Sequence, residues 1–258
     1  MSHVVEKHLP GRHNQKTHNP YKGKMLLGGS WESLESSEVF QRALQDRDYL
    51  HGGGGPGDQV LMDLAKLNGF TGPPKLASSS EIDGLIANGH TELYRGIQGK
   101  QYVREFKEGE YFAGTGVYGS GIYTAVGESG FEVAKEFTGR DGAVVRMALS
   151  KDAKVIDFHE LVAKQREELD TLRDLRTERL RSIRRKIRRT DNEAEIVRLE
   201  TELDQLDRRF NTLLTLLGDT GRYAAVKGYD AIHVGTSEYM VVLNRTKLTV
   251  QRENPYEI

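Results

Sequence analysis

The chain contains no cysteine among its 258 residues. A disulfide framework and a thiolate metal site are therefore excluded, which is compatible with a reducing compartment without requiring one. Long apolar runs are missing too: nothing approaches the roughly 20 residues that a membrane helix needs. The polar N-terminus lacks the apolar stretch of a secretory signal, so the expectation is a soluble protein not exported by that route, with no membrane partner. Net charge is almost absent, with 37 Lys and Arg against 38 Asp and Glu. Nothing draws the whole molecule toward nucleic acid or lipid, and an electrostatic partner must meet a local patch. Finally, glycine and proline vanish altogether between about Glu160 and Leu217.

Residues 1–28 are polar and basic, and their histidines His3, His8, His13 and His18 fall five apart. That step matches neither a helix face nor a strand face. Histidine is a common metal ligand, but no carboxylate cluster accompanies these four, and the segment reads as a flexible tail. The string His8-Leu-Pro-Gly-Arg-His-Asn-Gln-Lys-Thr-His18 resembles a short motif at the ends of phage head and portal-associated proteins.

Ser33 to Leu50 reads as a helix capped by Ser33 or Ser36, with Leu34, Val39, Phe40, Ala43 and Leu44 as its apolar stripe. His51–Gly57 lacks the Gly-Lys-Ser/Thr ending of a phosphate-binding loop and reads as a linker. A second helix spans Asp58–Asn68 and stops at Gly69–Pro74. Ser78 and Glu81 have capping-box spacing for a short helix that closes at Asn88-Gly89. Glu92–Ile97 is a strand carrying Arg95, which faces either solvent or a site. Tyr111-Phe112 leads into Gly114-Thr-Gly-Val-Tyr-Gly-Ser-Gly-Ile-Tyr-Thr-Ala125, a bare-backbone turn running into a short strand. Phe131–Phe137 has helical spacing, Ala143–Leu149 is the clearest buried strand, and Lys154–Asp157 is a shorter one.

The glycine-free region is charged, and Ile196, Leu199, Leu203, Leu206, Phe210, Leu213 and Leu217 recur in steps of three and four. A break at Arg189–Asn192, with Thr190 or Asp191 as cap, predicts an antiparallel helical hairpin with arms of about 40 Å. Its first arm is basic toward the tip and its second begins with Asp191, Glu193 and Glu195, so ion pairs between arms are expected. Self-pairing, partner binding and phosphate contact by the basic tip all remain open for this hairpin. After Gly218 come strands at Tyr229–Val234, Glu238–Leu243 and Leu248–Gln251, so the hairpin interrupts one sheet domain.

Leu93-Tyr-Arg-Gly96, Tyr118-Gly-Ser-Gly-Ile-Tyr-Thr-Ala125 and Glu238-Tyr-Met-Val-Val together resemble the ADP-ribosyltransferase superfamily. The second and third are similar to segments of its poly(ADP-ribose) polymerase branch, while Arg95 stands where the toxin branch has arginine. The resemblance covers about residues 60–157 and 219–251, and extends to transferases that some phages package. It implies an α+β fold with an ADP-ribosyltransferase-like split sheet, N-terminal helices and an inserted antiparallel coiled-coil hairpin. The corresponding divisions are a tail at 1–28, domain parts at 29–158 and 219–258, and the hairpin at 159–218.

The implied activity is NAD-dependent mono-ADP-ribosyl transfer to a macromolecular acceptor, protein or nucleic acid, without a metal. The bond between nicotinamide and ribose breaks through an oxocarbenium-like transition state, which a carboxylate beside the ribose stabilises. Glu238 is the implied carboxylate. Arg95 would grip the diphosphate or orient the ribose. Gly96 would hold the carboxamide through its backbone, and Gly116, Gly119 and Gly121 would let backbone amides approach the nicotinamide. Tyr123 would stack on the ring. Ser120 and Thr124 are the nearest match to the toxin branch's Ser-Thr-Ser strand, and Phe137 is either a second aromatic wall or core. Thr236 stands where arginine-modifying members carry Glu or Gln, which disfavours an arginine acceptor. An NAD glycohydrolase on the same fold, or a non-catalytic phage head protein working through the hairpin and a capsid partner, are the alternatives. The implied location is host cytoplasm after packaging in a virion.

Overall fold

The computed structural model describes residues 34–52, 57–70, 72–109, 113–235 and 238–253. The four tail histidines, Ser33, linker residues 53–56, Tyr111, Phe112 and Thr236 lie outside this set. Eight strands form one sheet: β1 Lys75–Ala77, β2 Thr91–Ile97, β3 Ile122–Val126, β4 Ala143–Leu149, β5 Val155–Asp157, β6 Ala231–Val234, β7 Tyr239–Val242 and β8 Leu248–Gln251. Their order is β1-β8-β4-β2-β3-β7-β6-β5. The outer pairs β1–β8 and β5–β6 are parallel and all pairings between them antiparallel. The architecture is mixed α and β, in keeping with the α+β class.

The helices are α1 Glu38–Gln45, α2 Arg47–Leu50, α3 Gln59–Leu67, α4 Ser79–Ala87, α5 Lys100–Glu108, α6 Gly130–Lys135, α7 Phe158–Ile187, α8 Glu193–Gly218 and α9 Thr220–Val226. The expected capping box is present, with the Ser78 side chain on Glu81 N and the Glu81 carboxylate on Ser78 N. The cap of α1 is Ser37 rather than Ser33 or Ser36, because the Ser37 hydroxyl accepts from Phe40 N. The helix expected to reach Leu50 is broken at Asp46, whose carboxylate accepts from Tyr49 N and starts α2 anew. Likewise Asn192, not Thr190 or Asp191, caps α8 by accepting from Glu195 N.

Alternation along β7 divides the interior. Val241 packs with α1–α3 and α7–α9 on one face. Met240 and Val242 face the other side, where Val103 and Phe106 of α5 meet Leu93, Val145 and Met147. The α7–α8 hairpin and α9 form the crossover between parallel strands β5 and β6. The base of the hairpin belongs to the main core, with Leu161, Leu172, Phe210, Leu213 and Leu217 all buried there. Only its outer half projects. The cross-arm ion pair Arg176–Asp207 lies below the tip, whereas Glu195 near the tip pairs within its own arm with Arg198.

Two anchors hold α9, the first of them buried. The Arg222 guanidinium makes a bidentate pair with Asp58 at 2.7 and 2.9 Å and donates to Leu50 O, and Asp58 in turn caps α3. Asp219, the N-cap of α9, accepts from Ser120 N and Oγ at 3.1 Å. The second anchor ties the glycine turn to the end of the hairpin.

A cleft where two strands part

The sheet is a single hydrogen-bonded unit rather than two split halves, but it opens at one seam. All seven residues of β2 pair with β4, whereas only Leu93 and Tyr94 pair with β3. Glu92 O accepts from Gly127 N, so alternation turns the backbone groups of Glu92, Tyr94 and Gly96 toward β3. Beyond Tyr94 the strands diverge, and Gly96 directs its N–H and C=O into the gap. A side chain at Gly96 would collide with the carbonyl oxygen of Ala134. Only glycine lets α6 lie this close to β2.

The gap widens into a cleft of about 440 Å³. Its floor carries Tyr94, Tyr123, Ala125 and Tyr239; one wall is Val133, Ala134 and Phe137, and the other is Thr115–Tyr118 of the glycine turn. Phe137 is 54% exposed, beyond the end of α6, and so belongs to the cleft wall rather than to the core. Val117 at the turn's tip is 90% exposed, so apolar groups stand open on both rims.

Arg95 reaches from β2 across the gap, donating from one terminal nitrogen to Tyr123 O at 3.1 Å. Its guanidinium lies 5.6 Å from the Phe106 ring centre. Tyr123 donates its hydroxyl to Gly119 O at 2.6 Å and accepts from Tyr118 N at 3.0 Å. The hydroxyl therefore pins the glycine turn while the ring forms floor. Burial pushes the Tyr123 phenol above its ordinary pKa, keeping it protonated as a donor.

The glycine turn is closed by the Gly114–Gly121 bridge. Gly119 adopts φ 95° and presses on the backbone of Thr220 and Gly221. Ser120 is buried against Asp219, and Gly121 lies against the Val241 side chain. These three residues face α9 and β7, because the turn is anchored there, while Thr115, Gly116 and Val117 face the cleft. Thr124 is buried at the cleft floor and donates its hydroxyl to Met240 O at 2.8 Å.

Tyr94, Ala125 and Tyr239 form one lateral row across β2, β3 and β7. Arg95 follows Tyr94 in the chain and Glu238 precedes Tyr239, so the two ions lie on opposite sides of that row. With neighbouring strands about 4.8 Å apart, β2 and β7 are roughly 10 Å apart across β3. Glu238 is exposed at the mouth of β7, and its backbone oxygen accepts from Val126 N at 2.9 Å. Its φ of 53° is the one left-handed value among described non-glycine residues. Such a conformation is uncommon for a residue with a Cβ and tends to mark sites where a side chain is held for a purpose. Ser129, just before α6, donates to Glu238 Oε2 at 2.6 Å.

The arrangement provides a carboxylate at the mouth of β7 next to the lining Tyr239, a cation in the seam, a peptide donor and acceptor at Gly96, and aromatic surface along the floor. Aromatic faces suit contact with a flat ring, and a carboxylate stabilises positive charge that develops beside it. No group of three or more His, Asp or Glu suited to a metal occurs among the described residues. No described helix is long and apolar enough to cross a membrane. Ser129, Tyr94, Tyr239 and Asp219 were not singled out from sequence. Tyr94 and Tyr239 were within reach, since they adjoin Arg95 and Glu238 in the motifs; Ser129 and Asp219 act over 109 and 99 residues. Comparison with protein-family models, curated proteins and solved structures gives no match.

Proposed function

We propose that the chain is an NAD-dependent mono-ADP-ribosyltransferase acting on a macromolecular acceptor in a host cell, with an ADP-ribosyltransferase-like core around the cleft. One observation carries this reading: Arg95 and Tyr123, from two motifs far apart in sequence, line one cleft on adjacent strands, and Glu238 of the third motif directly precedes Tyr239, the β7 residue that lines it. The volume of about 440 Å³ fits the range of roughly 300–1,000 Å³ for small-ligand sites. It suits the nicotinamide and ribose end of NAD, with the remainder along the rim.

In this reading the Gly96 peptide holds the carboxamide, and the Tyr123 and Phe137 rings flank the nicotinamide. Arg95 meets the phosphates or the ribose. The bond between ribose C1′ and the nicotinamide nitrogen breaks with its electron pair going to nitrogen, so neutral nicotinamide leaves. Positive charge grows on the ribose, and the Glu238 carboxylate stabilises it. The acceptor supplies a lone pair to C1′ and releases its proton to solvent. Thr236 would offer the acceptor a hydroxyl rather than a carboxylate, which favours acceptors other than arginine. The N-terminal string supports delivery from a phage virion.

NAD labelled on its adenylate half, incubated with the protein in a lysate of a bacterial host, tests the proposal. Label on protein or nucleic acid together with free nicotinamide is the expected result. Labelled ADP-ribose with no labelled macromolecule would make the protein a glycohydrolase, and intact NAD would leave the structural role as the working alternative.

A further inference from the structure

The outer hairpin carries a charge distribution that the cleft does not use. Between Arg179 and Arg198 there are eight cations and three carboxylates, and residues 179–189 contain seven cations and no carboxylate. Leu180 and Ile183 are buried in the seam with α8, which fixes how α7 is rotated. Arg181, Arg184, Arg185 and Arg188 then follow i, i+3, i+4, i+7 spacing and share one side of the helix, with all four exposed.

Lower down, part of the hairpin's charge is paired across elements, through Arg176–Asp207, Arg209–Glu35 and Lys227–Glu168. At the tip this stops: among the described residues, Arg181, Arg184, Arg185, Lys186, Arg188 and Arg189 make no ion pair. The helix dipole favours cations only within the last turn and does not account for a stripe two turns long. Arginine outnumbers lysine six to one in residues 179–189. Its planar fork suits bidentate contact with phosphate oxygens.

We infer that the hairpin tip is a docking surface for the phosphodiester backbone of a nucleic acid, bound by charge and without base readout. α7 begins at the cleft, where Phe158 meets Tyr118 edge-on with ring centres 5.1 Å apart. The stripe from Arg181 to Arg188 lies about 35–45 Å along the helix axis from Phe158. The tip thus holds a long polyanion while the cleft remains open. This inference stands on the charge pattern and does not require NAD turnover.

The test is fluorescence anisotropy of the full chain with labelled 24-base-pair duplexes of DNA and RNA across a KCl series, free of NAD. Binding to either duplex should weaken as salt rises, and the two arms show which backbone is preferred. Arg184→Gln/Arg188→Gln should make the log–log salt slope shallower by roughly 2, about one unit for each phosphate no longer neutralised. Arg181→Glu/Arg184→Glu/Arg185→Glu/Arg188→Glu should weaken binding at least 30-fold with unchanged circular dichroism. Absence of wild-type binding at 50 mM KCl, unchanged binding by the folded quadruple variant, or equal displacement by poly-glutamate would each overturn the inference. If the quadruple variant does not fold, the double variant's slope decides.

Discussion

Ser129 donates a 2.6 Å hydrogen bond to the carboxylate of Glu238, whose own backbone is left-handed at φ 53°. The carboxylate is thus fixed from two directions, by the turn that starts α6 and by an uncommon backbone conformation at the mouth of β7. A left-handed conformation costs an L-residue roughly 1–2 kcal/mol, partly offset in a glycine variant by greater chain entropy of roughly 0.5–1 kcal/mol. Glu238→Gly should therefore keep or raise stability, by up to about 1 kcal/mol in urea unfolding, while abolishing NAD turnover. A destabilised Glu238→Gly protein would show that the glutamate serves the fold.

Gly96→Ala addresses the seam between β2 and α6. The new methyl group would meet Ala134 O and push α6, with Phe137, away from the cleft floor. Overpacking of this kind costs about 1–3 kcal/mol. Thermal unfolding should show the loss, and the protection that NAD gives against unfolding should disappear with it.

Removing the Tyr123 hydroxyl leaves Tyr118 N and Gly119 O without their shared partner. Tyr123→Phe should cost about 1–2 kcal/mol. Because the ring remains as cleft floor, KM for NAD should rise more than kcat falls. A loss confined to kcat would instead assign the hydroxyl to the chemistry.

Arg222→Met strands the Asp58 carboxylate, which is fully buried. Breaking one side of such a pair costs about 3–5 kcal/mol. Asp58→Leu combined with Arg222→Met should cost less than the sum of the two single changes in urea denaturation. Additivity would mean that the pair is not coupled.

Tyrosines set the alkaline limit. Burial and the hydrogen bond to Glu92 push Tyr94 up to about 12, and burial also raises Tyr49, Tyr123 and Tyr223. The folded state holds these protons more tightly than the unfolded chain, whose tyrosines titrate near 10. Stability should be level in these groups below about pH 10 and fall as pH rises from about 10 toward 12. Urea midpoints between pH 8 and 11.5 should show that decline, and Tyr94→Phe should make it shallower.

Patterns that close within a few turns were readable before folding. The Ser78–Glu81 capping box, the apolar run of β4 and the three-and-four spacing of α8 each depend on near neighbours, and each forms where expected. β1 was not readable, because three residues at a parallel edge carry no period. Helix α5 was missed because its charged residues surround just two buried apolar side chains, Val103 and Phe106. At the site, Arg95, Tyr123 and Glu238 were recognisable as motifs, but their adjacency arises from the strand order β2-β3-β7. The inward course of Ser120 was hidden too, since its partner Asp219 lies beyond the whole hairpin.

The most direct measurement is release of nicotinamide from NAD by the wild-type chain and by Glu238→Gln, a change that keeps shape and removes charge. Steady release by wild type, reduced at least about 100-fold in Glu238→Gln with unchanged thermal unfolding, is the expected result. Equal release by the two proteins would remove Glu238 from the reaction, and no release by wild type under any acceptor condition would remove the reaction itself.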